Sequence, residues 1–259
     1  MSSLRLSLCQ IPIIWENPAA NREAIEQLLF QQLKQPTDLL IFPEMFTTGF
    51  SMASDRLAEN MDGPTRIWMQ KIGDMFNCAV AGSLIIKEES KFYNRLIAVR
   101  AKSDQASFYD KKHLFTLANE HQHYSPGSRK MILELNSWKI AFYICYDLRF
   151  PVWCRNEDGA DLIVFVANFP EKRELAWNSL LPARAIENQS FVAGVNRIGS
   201  DEMGIHYKGD SAVYDFEGRP MVHLNSAHGI AQLELDLASL QVYRRAYPFL
   251  KDRDLFEFK

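Results

Sequence analysis

The chain has 259 residues, with 29 Lys and Arg against 32 Asp and Glu and a formal net charge of −3. Hydrophobic residues are 47% and charged residues 24%, the proportions of a folded globular protein and not of a disordered one. Nearly balanced charge without a basic stripe excludes a dedicated nucleic-acid binder, and no run approaches the roughly 18 apolar residues of a membrane span.

Strands and helices alternate along the sequence. Residues 4–10 alternate apolar and polar, as a strand does. Asn17 and Pro18 form a cap and first turn, and Ala24, Ile25, Leu28, Leu29 and Leu33 continue at helical spacing. Residues 39–42 form an apolar run ending at Pro43 and read as a strand buried on both faces. Gly63, Pro64 and Thr65 open a second helix that runs to Phe76. Residues 78–86 and 92–100 read as paired strands around a polar turn, and 131–135 and 139–144 as another pair. In the second half, 161–167 is the most strand-like run, and 174–188 is helical with Pro182 marking a kink. Residues 191–197, 212–215, 221–224 and 229–234 read as strands, with a hairpin turn at 216–219. Residues 237–247 form a last helix.

This pattern predicts an α/β protein. With no repeat, composition break or linker, it predicts a single domain over 1–259, its core at 4–236 and a C-terminal helix and tail at 237–259. It leaves open whether the strands form one sheet or two. Four cysteines, Cys9, Cys78, Cys145 and Cys154, do not make a disulfide framework. The first residues alternate too strongly for the apolar stretch of a signal peptide. A reduced, cytoplasmic protein is expected.

Three polar residues follow apolar runs. Cys145 ends the run that starts at Trp138, and Tyr146, Asp147, Leu148 and Arg149 follow at once. A strand-to-turn junction puts a side chain at the carboxyl edge of a sheet, where open α/β folds bind ligands. Cysteine is also an ordinary core residue, which is the reading for Cys9, Cys78 and Cys154. Glu44 follows the run 39–43 and is poorly placed for full solvation, unless it is a cap or surface residue. Lys111 and Lys112 are adjacent, and in an extended segment one faces a pocket while the other faces water; the alternative is a solvated pair.

The three residue types fit one chemistry. A thiol attacks as thiolate and needs a base and a positive charge nearby. Glu can accept the proton, and an ammonium together with a backbone N–H can stabilise the oxyanion of a tetrahedral intermediate. A Cys–His pair with His113, His121 or His123 is the competing arrangement, although none of these stands alone after a buried strand.

The stretches Phe42-Pro-Glu-Met-Phe46, Tyr109-Asp-Lys-Lys-His-Leu-Phe115 and Ile144-Cys-Tyr-Asp-Leu-Arg-Phe-Pro151 resemble, in order and spacing, the three signatures of the nitrilase (carbon–nitrogen hydrolase) superfamily. That resemblance runs from Leu4 to Asp236 and implies a four-layer α-β-β-α sandwich. It implies Glu44 as general base, Lys111 as stabiliser of the tetrahedral intermediate and Cys145 as the residue that forms a thioester. It also implies a second glutamate, Glu120, shortly before the turn Ser125-Pro126-Gly127, which orients Lys111 or assists proton transfer. Ala141 departs from the glycine that many members carry there. A homodimer or larger homo-oligomer is implied, with no cofactor and no metal.

The stretches 145–153, 166–170, 183–189 and 194–199 resemble the bacterial omega-amidases within that superfamily. This implies cleavage of the terminal amide of short dicarboxylic monoamides such as 2-oxoglutaramate and 2-oxosuccinamate, with water as second substrate. Arg149 would then hold the free carboxylate, unless it pairs with Asp147. Asn168 and Tyr146 would contact substrate, and Phe46, Phe115, Phe169 and Trp177 would supply apolar walls. The alternatives are hydrolysis of an N-carbamoyl amino acid or aliphatic amide by the same residues, a catalytically silent scaffold, and a metal hydrolase using His121, His123 and Glu120.

Overall fold

The computed structural model describes residues 3–254 and 256–257. Met1, Ser2, Leu255, Phe258 and Lys259 of the expected domain and tail lie outside the described residues. The first half runs β1 (Ser3–Gln10), α1 (Pro18–Gln32), β2 (Leu39–Ile41), α2 (Ser54–Leu57), α3 (Pro64–Phe76), β3 (Ala79–Glu88), β4 (Lys91–Val99), β5 (Ala106–Asp110) and α4 (Glu120–His123). The second half runs β6 (Ile132–Leu135), β7 (Trp138–Ile144), β8 (Leu162–Ala167), α5 (Glu174–Asn188), β9 (Phe191–Asn196), β10 (Ile198–Ser200), β11 (His206–Lys208), β12 (Ala212–Tyr214), β13 (Pro220–His223), β14 (Gly229–Asp236) and α6 (Leu237–Ala246).

The strands form two six-stranded mixed sheets, ordered β14-β1-β2-β3-β4-β5 and β13-β12-β9-β8-β7-β6. Each has a parallel centre, β1-β2-β3 in one and β7-β8-β9 in the other. Alternation along the strands builds the layers. Leu6, Leu8, Leu39, Ile41, Ala79 and Ala81 belong to the core shared with the second sheet. Their neighbours Cys9, Leu40, Phe42 and Val80 pack instead against Ile25, Leu29 and Met69 of α1 and α3. On the far side, Trp177, Leu181 and Ala185 of α5 pack into the core cluster of the second sheet. The result is the helix–sheet–sheet–helix layering that the resemblance implied.

Local chemistry sets the boundaries. Asn17 caps α1 by accepting from the Ala20 N–H at 3.1 Å, and Pro18 supplies its first turn. Strands β5, β10 and β11 were not among the predicted elements. β5 is an edge strand whose Phe108 is 45% exposed, so it carries no buried run. β10 and β11 form a short separate hairpin without an apolar stripe. Ser7 and Gln10 of β1 are fully buried, since β1 lies inside its sheet between β14 and β2, whereas the Arg5 side chain stays 42% exposed.

Candidate active site

The carboxyl ends of β2, β5, β7 and β8 deliver the candidate residues to one place. Lys111 directly follows β5, and its N–H donates to the Asn94 carbonyl at 3.0 Å. Its side chain is 1% exposed, while that of Lys112 turns the other way and lies over the Trp153 ring at 5.2 Å. The Ser-Pro-Gly turn pins this strand end. Gly127 donates its N–H to the Lys111 carbonyl at 2.9 Å, and a Cβ there would lie 2.1 Å from the Asp110 carbonyl oxygen, so a larger residue would push the lysine away.

Lys111 Nζ donates to Glu44 Oε1 at 2.8 Å and stands 3.0 Å from Glu120 Oε2. Both glutamates are fully buried. Glu120 also accepts the Phe115 N–H at 2.6 Å. Asn94 Nδ2 bridges the carboxylates at 2.7 Å from Glu44 and 3.2 Å from Glu120. Asn94 Oδ1 in turn accepts from the Ser83 hydroxyl at 2.8 Å, which accepts the Met45 N–H at 2.8 Å. The second Glu44 oxygen accepts the Asn168 N–H at 2.8 Å, and Asn168 Nδ2 donates to the Glu44 carbonyl at 2.6 Å. Every oxygen of the two carboxylates is therefore held in place.

Cys145 occupies the left-handed region at φ +44°, a conformation that costs a non-glycine residue about 1–3 kcal/mol and persists only where neighbours enforce it. Asp147 supplies the enforcement. It is fully buried and accepts from the Ile144 N–H at 3.0 Å and the Tyr109 hydroxyl at 2.7 Å. Its other oxygen accepts the His113 N–H at 3.0 Å and contacts His113 Nδ1 at 2.8 Å. Asp147 thus pairs with His113 and not with Arg149. His113, stacked on Phe150, buttresses the turn and is not a base for Cys145.

The charges divide unequally. Burial works against the Lys111 ammonium, but Glu120 and Glu44 outweigh it and hold its pKa above the ordinary value. Burial pushes the Glu120 carboxyl up, with Lys111 opposing. Burial and then the charge of Glu44 push the Cys145 thiol well up, with Lys111 pulling against them. The resting thiol is therefore neutral beside a carboxylate that can accept its proton. Cys9, Cys78 and Cys154 are buried and Cys145 is partly exposed. Burial also raises the Cys78 thiol, to about 12.

Above the thiol opens a cavity of about 310 Å³. Lys111, Cys145, Tyr146, Asn168, Phe115 and Arg149 all line it. Arg149 forms no ion pair among the described residues and lies over the Phe169 ring at 5.7 Å. Two expectations fail. Phe46 is fully buried and packs on Phe42 and Trp68 on the helix side of its sheet, over Gly82, where a Cβ would come within 2.8 Å of the ring. Trp177 is 1% exposed, donates to the Asp210 carbonyl at 2.8 Å and stands behind the wall residue Phe169 at 5.3 Å. Asn94 and Ser83 of this hydrogen-bond network, and Arg173, Phe50 and Tyr207 of the cavity wall, lie outside the sequence motifs. A polar pair inside the apolar strand 91–99, Asn94-Arg95, was the available signal for the first. The metal arrangement is not assembled: Glu120 points at Lys111, while His121 and His123 are exposed on α4.

Comparison with known proteins identifies the family. The chain matches the carbon-nitrogen hydrolase family over residues 5–245. It is 41% identical to the omega-amidase YafV of Escherichia coli (strain K12), over 99% of this chain and 99% of that protein. It is 34% identical to the 2-oxoglutaramate amidase of Bacillus subtilis (strain 168), over 97% of this chain and 98% of the other. The crystal structure of a CN-hydrolase superfamily protein from Xanthomonas campestris, with an arsenic adduct in its active site, superposes with a TM-score of 0.95 at 41% identity, covering both chains completely. The protein belongs to the carbon–nitrogen hydrolase family and is a hydrolase of carbon–nitrogen bonds other than peptide bonds.

Proposed function

We propose that the protein removes the terminal amide from short ω-amides of dicarboxylates, of the 2-oxoglutaramate and 2-oxosuccinamate type, and that Cys145, Glu44, Lys111 and Glu120 carry the reaction. The observation behind this reading is the site itself: a thiol, a carboxylate and a doubly paired ammonium converge below a cavity that also holds the guanidinium of Arg149, which has no ion-pair partner among the described residues. One amide at the thiol and one carboxylate at the guanidinium describe a short ω-amide. Two relatives carry names of this kind, an omega-amidase and a 2-oxoglutaramate amidase.

The geometry supports a two-stage reaction. Cys145 Sγ attacks the amide carbonyl carbon as Glu44 takes the thiol proton. The oxyanion forms beside Lys111 Nζ and the Tyr146 N–H, which lies in the first turn of the short 3-10 helix Cys145–Arg149, where N–H groups have no intrahelical acceptor. Collapse breaks the C–N bond, Glu44 returns its proton to nitrogen, and ammonia leaves a thioester. Water then gives a proton to Glu44 and attacks the thioester. The second intermediate releases the dicarboxylate, and the proton returns to sulfur. Glu120 and Asn94 hold Lys111 and Glu44 throughout. Asn168 Oδ1 is buried without a partner among the described residues and is suited to accept from the amide nitrogen.

The same reading includes one folded domain, a homodimer or larger homo-oligomer and a cytoplasmic location. Ile186 on α5 and Val242 on α6 are each more than half exposed, apolar side chains that a second copy would cover. Sedimentation analysis tests the assembly, and a monomer at micromolar concentration would exclude it. The function is tested by ammonia release from 2-oxoglutaramate, succinamate, an N-carbamoyl amino acid and propionamide. Cys145-dependent release is expected for the first two. Release from the carbamoyl compound alone would overturn the substrate assignment.

A further inference from the structure

We propose that Arg173 is the second half of a two-guanidinium clamp that, with Arg149, holds the substrate's free carboxylate. The proposal rests on the amide-plus-carboxylate reading of this cavity and adds a residue that no sequence motif marked. Arg173 closes the 3-10 turn Glu171–Arg173 ahead of α5, and its side chain lines the cavity. Its guanidinium lies over Phe115 at 4.9 Å and over Phe169 at 5.9 Å. Arg149 lies over the same Phe169 ring at 5.7 Å, so the two cations share one aromatic support.

Rings cover the faces of a guanidinium and leave its in-plane N–H groups free to donate. Among the described residues neither arginine has an ion-pair partner, whereas the Lys111 ammonium stands between two carboxylates. No acidic side chain lines the cavity. Arg149 is exposed and Arg173 half-buried at the cavity, so both guanidiniums are open to an incoming anion that would be drawn to the two like charges. A carboxylate offers about four acceptor positions, twice what one bidentate fork fills. The Phe115 and Phe169 rings that the Arg173 guanidinium lies over restrict its side chain before the anion arrives, so less side-chain freedom is lost on binding.

The test uses the full chain with succinamate and propionamide, whose amides are alike but only one of which carries a carboxylate. Arg173→Gln should raise KM for succinamate roughly 10- to 100-fold, the effect of losing a charged hydrogen-bonding partner, and lower the preference for succinamate over propionamide by about tenfold or more. Arg173→Lys keeps the charge, loses the fork and should fall between the two; it carries the test should Arg173→Gln fail to fold. An equal loss on both amides, or a preference within twofold of wild type, overturns the clamp. If the wild type shows no preference for succinamate over propionamide, the substrate reading itself falls and the clamp with it. If that preference exists and survives Arg173→Gln, only the assignment of Arg173 is wrong.

Discussion

Replacing Asp147 by Asn leaves the shape of the side chain intact and removes its charge at the turn that presents Cys145. The carboxylate accepts four contacts: the Ile144 N–H and the Tyr109 hydroxyl on one oxygen, the His113 N–H and Nδ1 on the other. An amide has only one acceptor oxygen. The Tyr109 hydroxyl can rotate to accept from the new NH2, and His113 can change tautomer. The two backbone N–H groups can do neither, and they lie on opposite oxygens. Either amide orientation therefore strands one buried N–H, at about 1–3 kcal/mol, and weakens the remaining charged hydrogen bonds by about 1 kcal/mol more. We expect a stability loss of about 2–4 kcal/mol, a large part of the 5–15 kcal/mol typical of a folded domain. If the orphan is Ile144, the clamp on the residue before Cys145 opens, and the left-handed conformation at φ +44° loses its restraint. Misplacing the thiol by about 1 Å should then lower kcat on the order of 100-fold. Urea unfolding and steady-state ammonia release measure the two effects. A variant within about 0.5 kcal/mol of wild type and within twofold in kcat would refute the role of Asp147.

Cys145→Ala should abolish turnover and leave the thermal unfolding transition near its wild-type position; retained activity in a folded variant would exclude the thiol as nucleophile. Lys111→Arg should lower kcat by at least about 100-fold, since a guanidinium must enter a slot that leaves Lys111 only 1% exposed between two carboxylates. Activity within tenfold of wild type would refute that fit. Because Glu120 and Glu44 hold the Lys111 ammonium above the ordinary 10.5 despite its burial, kcat/KM should show no alkaline loss from lysine deprotonation below that pH. An alkaline limb with a lower apparent pKa, where circular dichroism shows the fold intact, would count against it. The same raised pKa stabilises the folded state below pH 10.5, and that contribution is lost as the pH climbs through the folded-state value.

Much of this was legible in the residues. Asn17 and Pro18 marked the start of α1, and apolar runs marked β2, β7 and β8, because caps and buried strands are encoded locally. Glu44, Lys111 and Cys145 stood out because each polar side chain follows directly on an apolar strand or extended segment. Edge strand β5 and the β10–β11 hairpin escaped, since their buried residues, Tyr109 and Tyr207, stand singly and form no apolar run. Phe46 and Trp177 were misread for a different reason: an aromatic near a motif has two faces of a sheet or helix to choose from, and residue type does not make the choice.

The sequence by itself determined the α/β class through its hydrophobic period and, through the order of its motifs, the family whose resemblance implied the four layers and the candidate residues, since both patterns are properties of the chain alone. Only the tertiary structure decided which groups meet. Asn94, from the middle of β4, lies between two glutamates that are 76 residues apart in the chain, 44 against 120. Asp147 turned out to hold the Cys145 turn, which left Arg149 without an ion pair among the described residues, and Arg173 came to lie over the same ring as Arg149. Such meetings follow from the stacking of two sheets, in which residues distant in sequence become neighbours and no local pattern records it.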